Sequence, residues 1–530
     1  MTQSLYPAGI ARGWRVLDGR SSMPSEVFDV IVVGSGAGGA TAAEVLATRG
    51  LRVLIIEEGG LRDAGDFRND ELKAYAQLYQ EGALRTTEDG GISILQGRTV
   101  GGSTTVNWTT SFRTPDSTLA HWHDQHALSE ATPAHLAPFF ERIEKKLGIA
   151  PWVAAPNENN AVIQRGCEAL GWHWEAMQRN VRGCWNLGYC GTGCPTNAKQ
   201  SMLVTSIPNA LEHGATLLHH TRALRLEWSG TQVSGVVCQP MKTSLDASEG
   251  SSKTIRARHI VLSGGAIQSP AVLLRSRVPD PFQTLGKRTY LHPVCMNMAF
   301  FDQPIDGFYG APQSIYSDEF NAIPSTGYGF KIEVAPMQPS IVSALMGSYG
   351  SEHTERMRQL PQANLMLALL RDGFASDDPG GTVKLRKNGD PVLNYPLRAA
   401  LWNTVRTACE RMADIQFAAG ARTVMPVHAL GQPCESPAAF REHLATLPMR
   451  IFDMRLSSAH VMGGCRMHPR PEHGVVTPKG RHHQLENLSV FDGSIFPSSI
   501  GANPQLSIYA WALKLSEELA ETLAPSVSPV

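Results

Sequence analysis

The sequence has almost no net charge: 47 lysines and arginines face 48 aspartates and glutamates, leaving −1 over 530 residues. A nucleic-acid surface needs a concentrated basic face to neutralise phosphates, so nucleic acid is rejected as a partner. Long apolar runs are missing as well. No stretch reaches the roughly 18 uninterrupted apolar residues of a membrane-crossing helix, and the first 26 residues lack the apolar core of a secretory leader. Cysteine is thin for the length, with nine residues, an odd number, whereas a secreted disulfide framework belongs to small chains short of core. A reducing cytoplasm follows as the expected location, with peripheral attachment to a membrane left open. Also missing are a G-x-S-x-G nucleophile elbow, an H-E-x-x-H zinc motif and any internal repeat.

What remains is an ordinary globular composition, 42% hydrophobic and 18% charged, long enough for two domains built from interleaved segments. The only low-complexity patch, Thr243 to Lys253, is polar enough for a surface loop.

The strongest local signal is "FDVIVVGSGAGGATAAEVLATRGLRVLIIEEGG". Phe28 to Val33 is a β-branched run with the continuous apolar character of a buried parallel strand. Gly34-Ser35-Gly36-Ala37-Gly38-Gly39 follows it, then a helix-forming segment from Ala40 to Thr48, Gly50 as its stop, and a second strand from Arg52 to Ile56. A lone G-x-G-x-x-G is weak, but here it joins strand to helix inside one βαβ unit that ends in an acid, Glu57. Gly34 permits the tight turn, Gly36 lets the backbone at Ala37 approach a pyrophosphate, and Gly39 lets helix and strand pack closely. The helix N-terminus then faces the phosphates, and Glu57 can accept hydrogen bonds from the adenosine ribose. Both NAD and FAD satisfy this pattern.

A second polar, small-residue segment, "QGRTVGGSTTVNWTTSFRTP", is punctuated by Gly97, Gly101 and Gly102 and reads as a bare loop or as a second cofactor wall through Gly101, Gly102, Ser103 and Asn107. Near the C-terminus "SSAHVMGGCRMHP" offers His460, Cys465 and His468 as metal ligands, a redox thiol or a single catalytic imidazole. The spacing lacks a recognisable companion pair, so no metal is expected, and Cys465 reads as a packing residue. Cys184, Cys190 and Cys194 leave a metal, a disulfide or reduced thiols open.

Taken in order, "VIVVGSGAGGATAA…VLIIEEGG", "GRTVGGSTTVN", "HIVLSGGAIQSPAVLLRS", "HVMGGCRM" and "VFDGSIFPSSIGANPQLSIYAWALK" resemble the glucose–methanol–choline family of flavin oxidoreductases over nearly the whole chain. The resemblance implies FAD rather than NAD. The segment "CGTGCPTNAKQSMLVTSIPNALEHGATLLHHTRALRLE" is similar to the long-chain alcohol oxidases and their bacterial dehydrogenase relatives, which implies a primary alcohol with an apolar body. Alternatives are a nicotinamide-dependent dehydrogenase and a non-catalytic FAD-binding relative.

Alcohol oxidation by hydride transfer to flavin requires a base near the hydroxyl. Histidine suits, since an ordinary pKa of about 6.5 leaves it neutral near pH 7, and His460 matches the family's active-site histidine. The resemblance makes Asn503 the amide that fixes the substrate hydroxyl. It also turns the N-terminus of the helix after Pro504 toward the flavin, and makes Asp492 and Gly493 a contact to the flavin side chain. Read without it, Asn503 and Pro504 are N-cap and N1 of a helix, and Asp492 bonds its own backbone in a turn. Relatives with a histidyl flavin link carry His just before the asparagine matching Asn107, where this chain has Val106, so the FAD is expected to be non-covalent. Electrons then pass to oxygen, a quinone or a cytochrome.

The expected fold is α/β. A discontinuous Rossmann-like FAD domain takes residues 26–110, 197–290 and 453–525. A substrate domain of residues 111–196 and 291–452 is built on an antiparallel sheet flanked by helices. Hairpins are expected at Ser229-Gly230 and Asn388-Gly389, and strands in "GYGFKIEVAPM" and "QANLMLALL".

Overall fold

The computed structural model describes residues 4–242, 248, 250–322, 328–375 and 378–523. Most of the Thr243 to Lys253 patch lies outside them. Phe28–Val33 and Val53–Ile56 pair in parallel at the centre of the first sheet. Thr216–His219 and Arg15–Asp18 extend it on one side and Lys253–Leu262 on the other. Lys253–Leu262 is shared. Its first half carries the antiparallel hairpin Thr221–Ser229 and Gln232–Pro240, while Ile260–Leu262 pairs in parallel with Leu488–Val490. Strands buried on both faces cannot alternate polar with apolar, and Val30, Ile31 and Val32 are indeed wholly buried.

The helix after the glycine turn runs Ala37–Thr48, three residues earlier than its first strong helix former suggests. Glycine allows this. A Cβ on Gly38 would fall 1.7 Å from the Phe491 carbonyl oxygen, and one on Gly39 would fall 1.9 Å from that of Gly34. The final helix, Gln505–Leu523, packs against this one and buries Leu506, Tyr509, Leu513 and Leu519.

The second sheet places Phe330–Val334, Ala363–Leu370 and Val294–Phe300 side by side, antiparallel, with Thr423–Pro426 also on the last of them. Helix Ala399–Ala418 covers its far face by packing on Val294–Phe300 and Ala363–Leu370, and its Leu401, Val405, Ala408 and Met412 belong to one buried cluster with Phe330, Ile332, Val334 and Ala368. Leu456–Ser458 and Ile92–Ile94 complete this sheet, although their segments were expected in the FAD domain. A third, four-stranded antiparallel sheet joins Pro391–Asn394, Gly381–Leu385, Lys287–Leu291 and Val461–Gly463. Both expected hairpins form, with Gly230 at φ 60° and Gly389 at φ 84°. Among the described residues no helix is long and apolar enough to cross a membrane.

Candidate active site

A cavity of about 310 Å³ lies between the first two sheets. Val33, Ile56 and Leu262, at the carboxyl ends of parallel strands, form one wall, where open α/β sheets bind their ligands. Val294, Leu367 and Leu369 of the second sheet form the opposite wall. The lining runs without a break from the glycine turn to His460.

At the turn end, Gly34 has φ +98° and a Cβ there would sit 2.3 Å from the Ser263 carbonyl oxygen, so the position requires glycine. Gly36 faces the cavity, with only Gly102 Cα near its missing Cβ, at 3.9 Å, and it precedes the helix without any side-chain cap. The uncapped amides of Ala37 and Gly38 therefore open on the cavity, an anion site by construction. Gly102, at φ +54°, abuts Gly36, so the two glycine segments form adjoining walls. Ser103 and Asn107 line the cavity, whereas Gly39 and Gly101 stand behind the lining.

Glu57 is bound within the protein. Its Oε2 accepts from Ser35 N (3.1 Å) and Ser35 Oγ (2.6 Å), and its Oε1 accepts from Gly59 N (2.9 Å). Ser35 Oγ in turn accepts from Gly101 N at 2.9 Å, which ties one glycine segment to the other. Burial raises the Glu57 pKa against these bonds. Next to it, Glu58 accepts from Arg98 Nε and an Arg222 guanidinium nitrogen, both at 2.9 Å. Burial pushes its pKa up, but the two guanidiniums win and hold it far below the usual carboxylate range.

At the other end, two paired strands cross together from one sheet to the next. Leu291 pairs with Val461 in the third sheet and Val294 with Ser457 in the second, so the links between them bring His292 against His460. Their Nδ1 atoms are 3.0 Å apart, and Gly501 N donates to His292 Nε2 at 3.1 Å. Burial, aided by the Lys331 charge, lowers the His460 pKa to about 4. It pushes that of His292 down further, with the charges of His460, Arg371 and Lys331 acting the same way. Both rings are neutral at pH 7.

Asn503 does not cap its helix. Its Oδ1 is buried without a partner among the described residues, and its Nδ2 donates to Glu333 Oε2 at 3.4 Å. The buried carboxylate draws the amide away from the helix backbone. Asp492 lines the cavity, yet it also makes the turn expected of it. Its Oδ1 accepts from Ser494 N (2.8 Å), and its Oδ2 accepts from Gly265 N (2.8 Å) and Ser269 Oγ (2.5 Å). Gly493, Pro504 and Gln505 complete this part of the lining.

Cys465 is buried in the core, and His468 Nδ1 accepts from Arg470 N at 3.0 Å; neither lines the cavity. Cys184, Cys190 and Cys194 are free thiols. Sequence reasoning missed Ser35, Glu58, His292, Gln313, Glu333 and Lys199. Lys199 is buried and donates to the carbonyls of Thr105, Cys190 and Asn107 at 2.5, 2.7 and 3.0 Å, fastening the second glycine segment to the cysteine-bearing one. It also missed Asp18, His219 and His220, whose ligand atoms lie within 4.8 Å of one another. That carboxylate is already held by Arg20, 2.6 Å away.

The sequence matches the GMC oxidoreductase family over residues 75–294 and 377–512, and an FAD binding domain over residues 29–64, which decides between the two dinucleotides. A long-chain-alcohol oxidase of Arabidopsis thaliana is 29% identical over 93% of this chain and 67% of its own length. A GMC-type oxidoreductase of Mycobacterium tuberculosis without assigned activity is 30% identical over 92% of this chain and 75% of its own. Among solved structures, a formate oxidase variant from Aspergillus oryzae superposes with a TM-score of 0.70 at 16% identity, over 95% of this chain and 100% of that one, a likeness of fold. With the two family matches spanning more than half of its length, and with the second sheet covering the cavity that the glycine turn opens on, the chain belongs to the GMC oxidoreductase family.

Proposed function

We propose that this protein oxidises a primary alcohol with an apolar body to its carbonyl, using non-covalently bound FAD. One observation carries the reading: a single cavity joins the uncapped amides of the glycine turn to His460 and Asn503. Trp108, Val294, Leu367 and Leu369 give it apolar walls, and similarity to a long-chain-alcohol oxidase supports the substrate class. Val106 offers no nucleophile beside Asn107 for a covalent flavin link.

When bound, FAD supplies a hydride acceptor. The chain does the rest. Ala37 and Gly38 amides hold the pyrophosphate with the helix dipole behind them, and Glu57, by its place at the strand end, meets the ribose. The start of helix Gln505–Leu523 places a second positive dipole end at the cavity. Among the described residues the His460 ring is hydrogen-bonded through Nδ1 alone, to His292, so Nε2 is the ring atom left for the alcohol oxygen.

Anaerobic mixing with aliphatic, terpenoid and aromatic alcohols, followed through the flavin absorbance, tests the reading. An apolar primary alcohol should bleach the flavin. His460→Ala should keep the FAD spectrum and slow bleaching by about a hundredfold or more. A flavin that no alcohol bleaches would overturn the reading. Reoxidation with oxygen or an artificial quinone then identifies the electron acceptor.

A further inference from the structure

The hydrogen bonds behind His460 fix which way its ring can move a proton. Gly501 N–H donates to His292 Nε2, so neutral His292 carries its own proton on Nδ1. That Nδ1 lies 3.0 Å from His460 Nδ1, which must therefore accept, and neutral His460 keeps its proton on Nε2. The opposite tautomer would need a proton on His292 Nε2, facing the Gly501 N–H at 3.1 Å. On the side open to the alcohol, His460 is thus a hydrogen-bond donor with no lone pair to offer.

A lone pair is available on another wall. Strand Phe330–Val334 turns Phe330, Ile332 and Val334 into the core cluster that holds helix Ala399–Ala418, which leaves Lys331 and Glu333 on the opposite, inward face. Glu333 is fully buried and lines the same cavity as His460 and Asn503. Its Oε2 accepts from Gln313 Nε2 (2.7 Å) and Asn503 Nδ2 (3.4 Å), while Oε1 has no partner among the described residues. Gln313 is itself held by Thr110 Oγ1 at 2.7 Å. One oxygen is thus clamped by two amides and the other is bare, an arrangement that costs stability unless something completes it.

We propose that Glu333 Oε1 takes the alcohol proton while His460 Nε2–H donates a hydrogen bond to the same alcohol oxygen. The proposal rests on the alcohol-oxidation reading above and reassigns the base role expected of His460. The alcohol O–H bond breaks and its proton passes to Glu333 Oε1. The C–H bond breaks and its hydrogen leaves with the electron pair as hydride to the bound flavin, and the C=O bond forms from the remaining oxygen pair. The alcohol loses two electrons, which FAD, when bound, would accept with the hydride. Donation from His460 stabilises the negative charge growing on the oxygen.

Around Glu333 the charged neighbour is Lys331, two residues along the strand, with Asp318 and Glu175 facing that lysine and His460 and His292 within its field. Burial raises the Glu333 pKa, opposed by Lys331, Asn503 and Gln313. Glu333 acts as a base only when ionised, so flavin reduction should fall as pH drops through a pKa above the usual carboxylate value. A His460 base would instead lose activity through a pKa of about 4.

The test measures anaerobic flavin reduction against pH, using an alcohol that bleaches the wild-type holoenzyme, in Glu333→Gln, Glu333→Asp and His460→Gln. Glu333→Gln should bind FAD, slow reduction by about 10²–10⁴-fold and abolish the acid limb. Glu333→Asp and His460→Gln should be slower but keep that limb. An acid limb that survives in Glu333→Gln, or that disappears only in His460→Gln, overturns the proposal.

A second readout needs no alcohol. Infrared spectra of the resting holoenzyme should show a carboxylic-acid C=O band that grows as pH falls and is missing from Glu333→Gln; if Glu333→Gln removes no such band, the proposal fails. Should no alcohol bleach the wild type, the function reading falls by itself, while the infrared titration still judges Glu333.

Discussion

Glu57 and Glu333 are both buried carboxylates on the wall of one cavity, and the fold treats them in opposite ways. Each oxygen of Glu57 has a donor from the protein, and the serine that supplies two of them is held in turn by Gly101. Glu333 has donors on one oxygen only, and beside it the Oδ1 of Asn503 is bare, as is that of Asn107. A buried polar atom without a partner costs about 1–3 kcal/mol, so such atoms persist where a ligand completes them. At the nucleotide end the carboxylate is finished by the protein, and what faces the cavity is backbone amide and shape. The alcohol end is left unfinished and presents reactive lone pairs. Damage at the first should therefore appear as lost cofactor or stability, and damage at the second as lost chemistry.

The largest effect should come from Gly34→Ala. The new Cβ would meet the Ser263 carbonyl at 2.3 Å with φ at +98°, and both are backbone features that cannot rotate aside. Left-handed strain and overpacking together cost about 3 kcal/mol or more. The purified variant should carry little FAD by absorbance and unfold at a lower temperature. Full FAD content with unchanged unfolding would show that this turn is not rigid, and the contrast between the two ends would fail.

The same contrast explains how much was legible in the sequence. The Phe28–Val33 strand, the turn and Glu57 lie within thirty consecutive positions, so local spacing carries their geometry. The second strand begins one residue later than expected, at Val53, and the helix starts three residues earlier, because glycines read as loop formers until their close contacts are visible. Glu333 had no such signal. In "FKIEV" apolar and charged residues alternate, which reads as a strand with a wet face, whereas the structure turns that face inward over the cavity. His292 was equally silent, since it meets His460 only through the paired crossing of strands 168 positions apart. Asn503 shows a local reading overridden: Asn-Pro before a helix predicts a cap, and Glu333, 170 positions away, claims the amide. The sheet boundaries near residues 92 and 456 were lost likewise, because strand pairing between distant segments leaves no mark in either.

Next in size is Glu58→Gln, which removes the negative charge between two guanidiniums, of which Arg98 is only 2% exposed. Breaking such a buried pair from one side costs about 3 kcal/mol. The Glu58 pKa is depressed in the folded state, so its contribution is present above the unfolded value of about 4.3 and lost as pH falls toward the folded one. Urea unfolding should thus separate wild type from variant at neutral pH, and the gap should narrow in acid. A gap independent of pH would mean that packing rather than charge holds this corner.

The smallest effect, and the sharpest test of the contrast, belongs to Ser35→Ala. This change removes one hydroxyl that accepts from Gly101 N–H and donates to Glu57. Gly101 would lose its acceptor and Glu57 one of its three donors, while Ser35 N still reaches the carboxylate. The bond from Gly101 contributes about 1 kcal/mol and the bond to the carboxylate somewhat more, but Ser35 N keeps its hold on Glu57, so FAD affinity, measured by quenching of flavin fluorescence on titration of apoprotein, should weaken by about five- to tenfold. The pH profile of flavin reduction should stay where it is, because Glu333, His460 and His292 share no bond with Ser35. Unchanged affinity would show that the two glycine segments hold their places without this bridge. A displaced pH profile would show that the finished end tunes the unfinished one, which would require the glycine segments to shift as a body against the cover sheet.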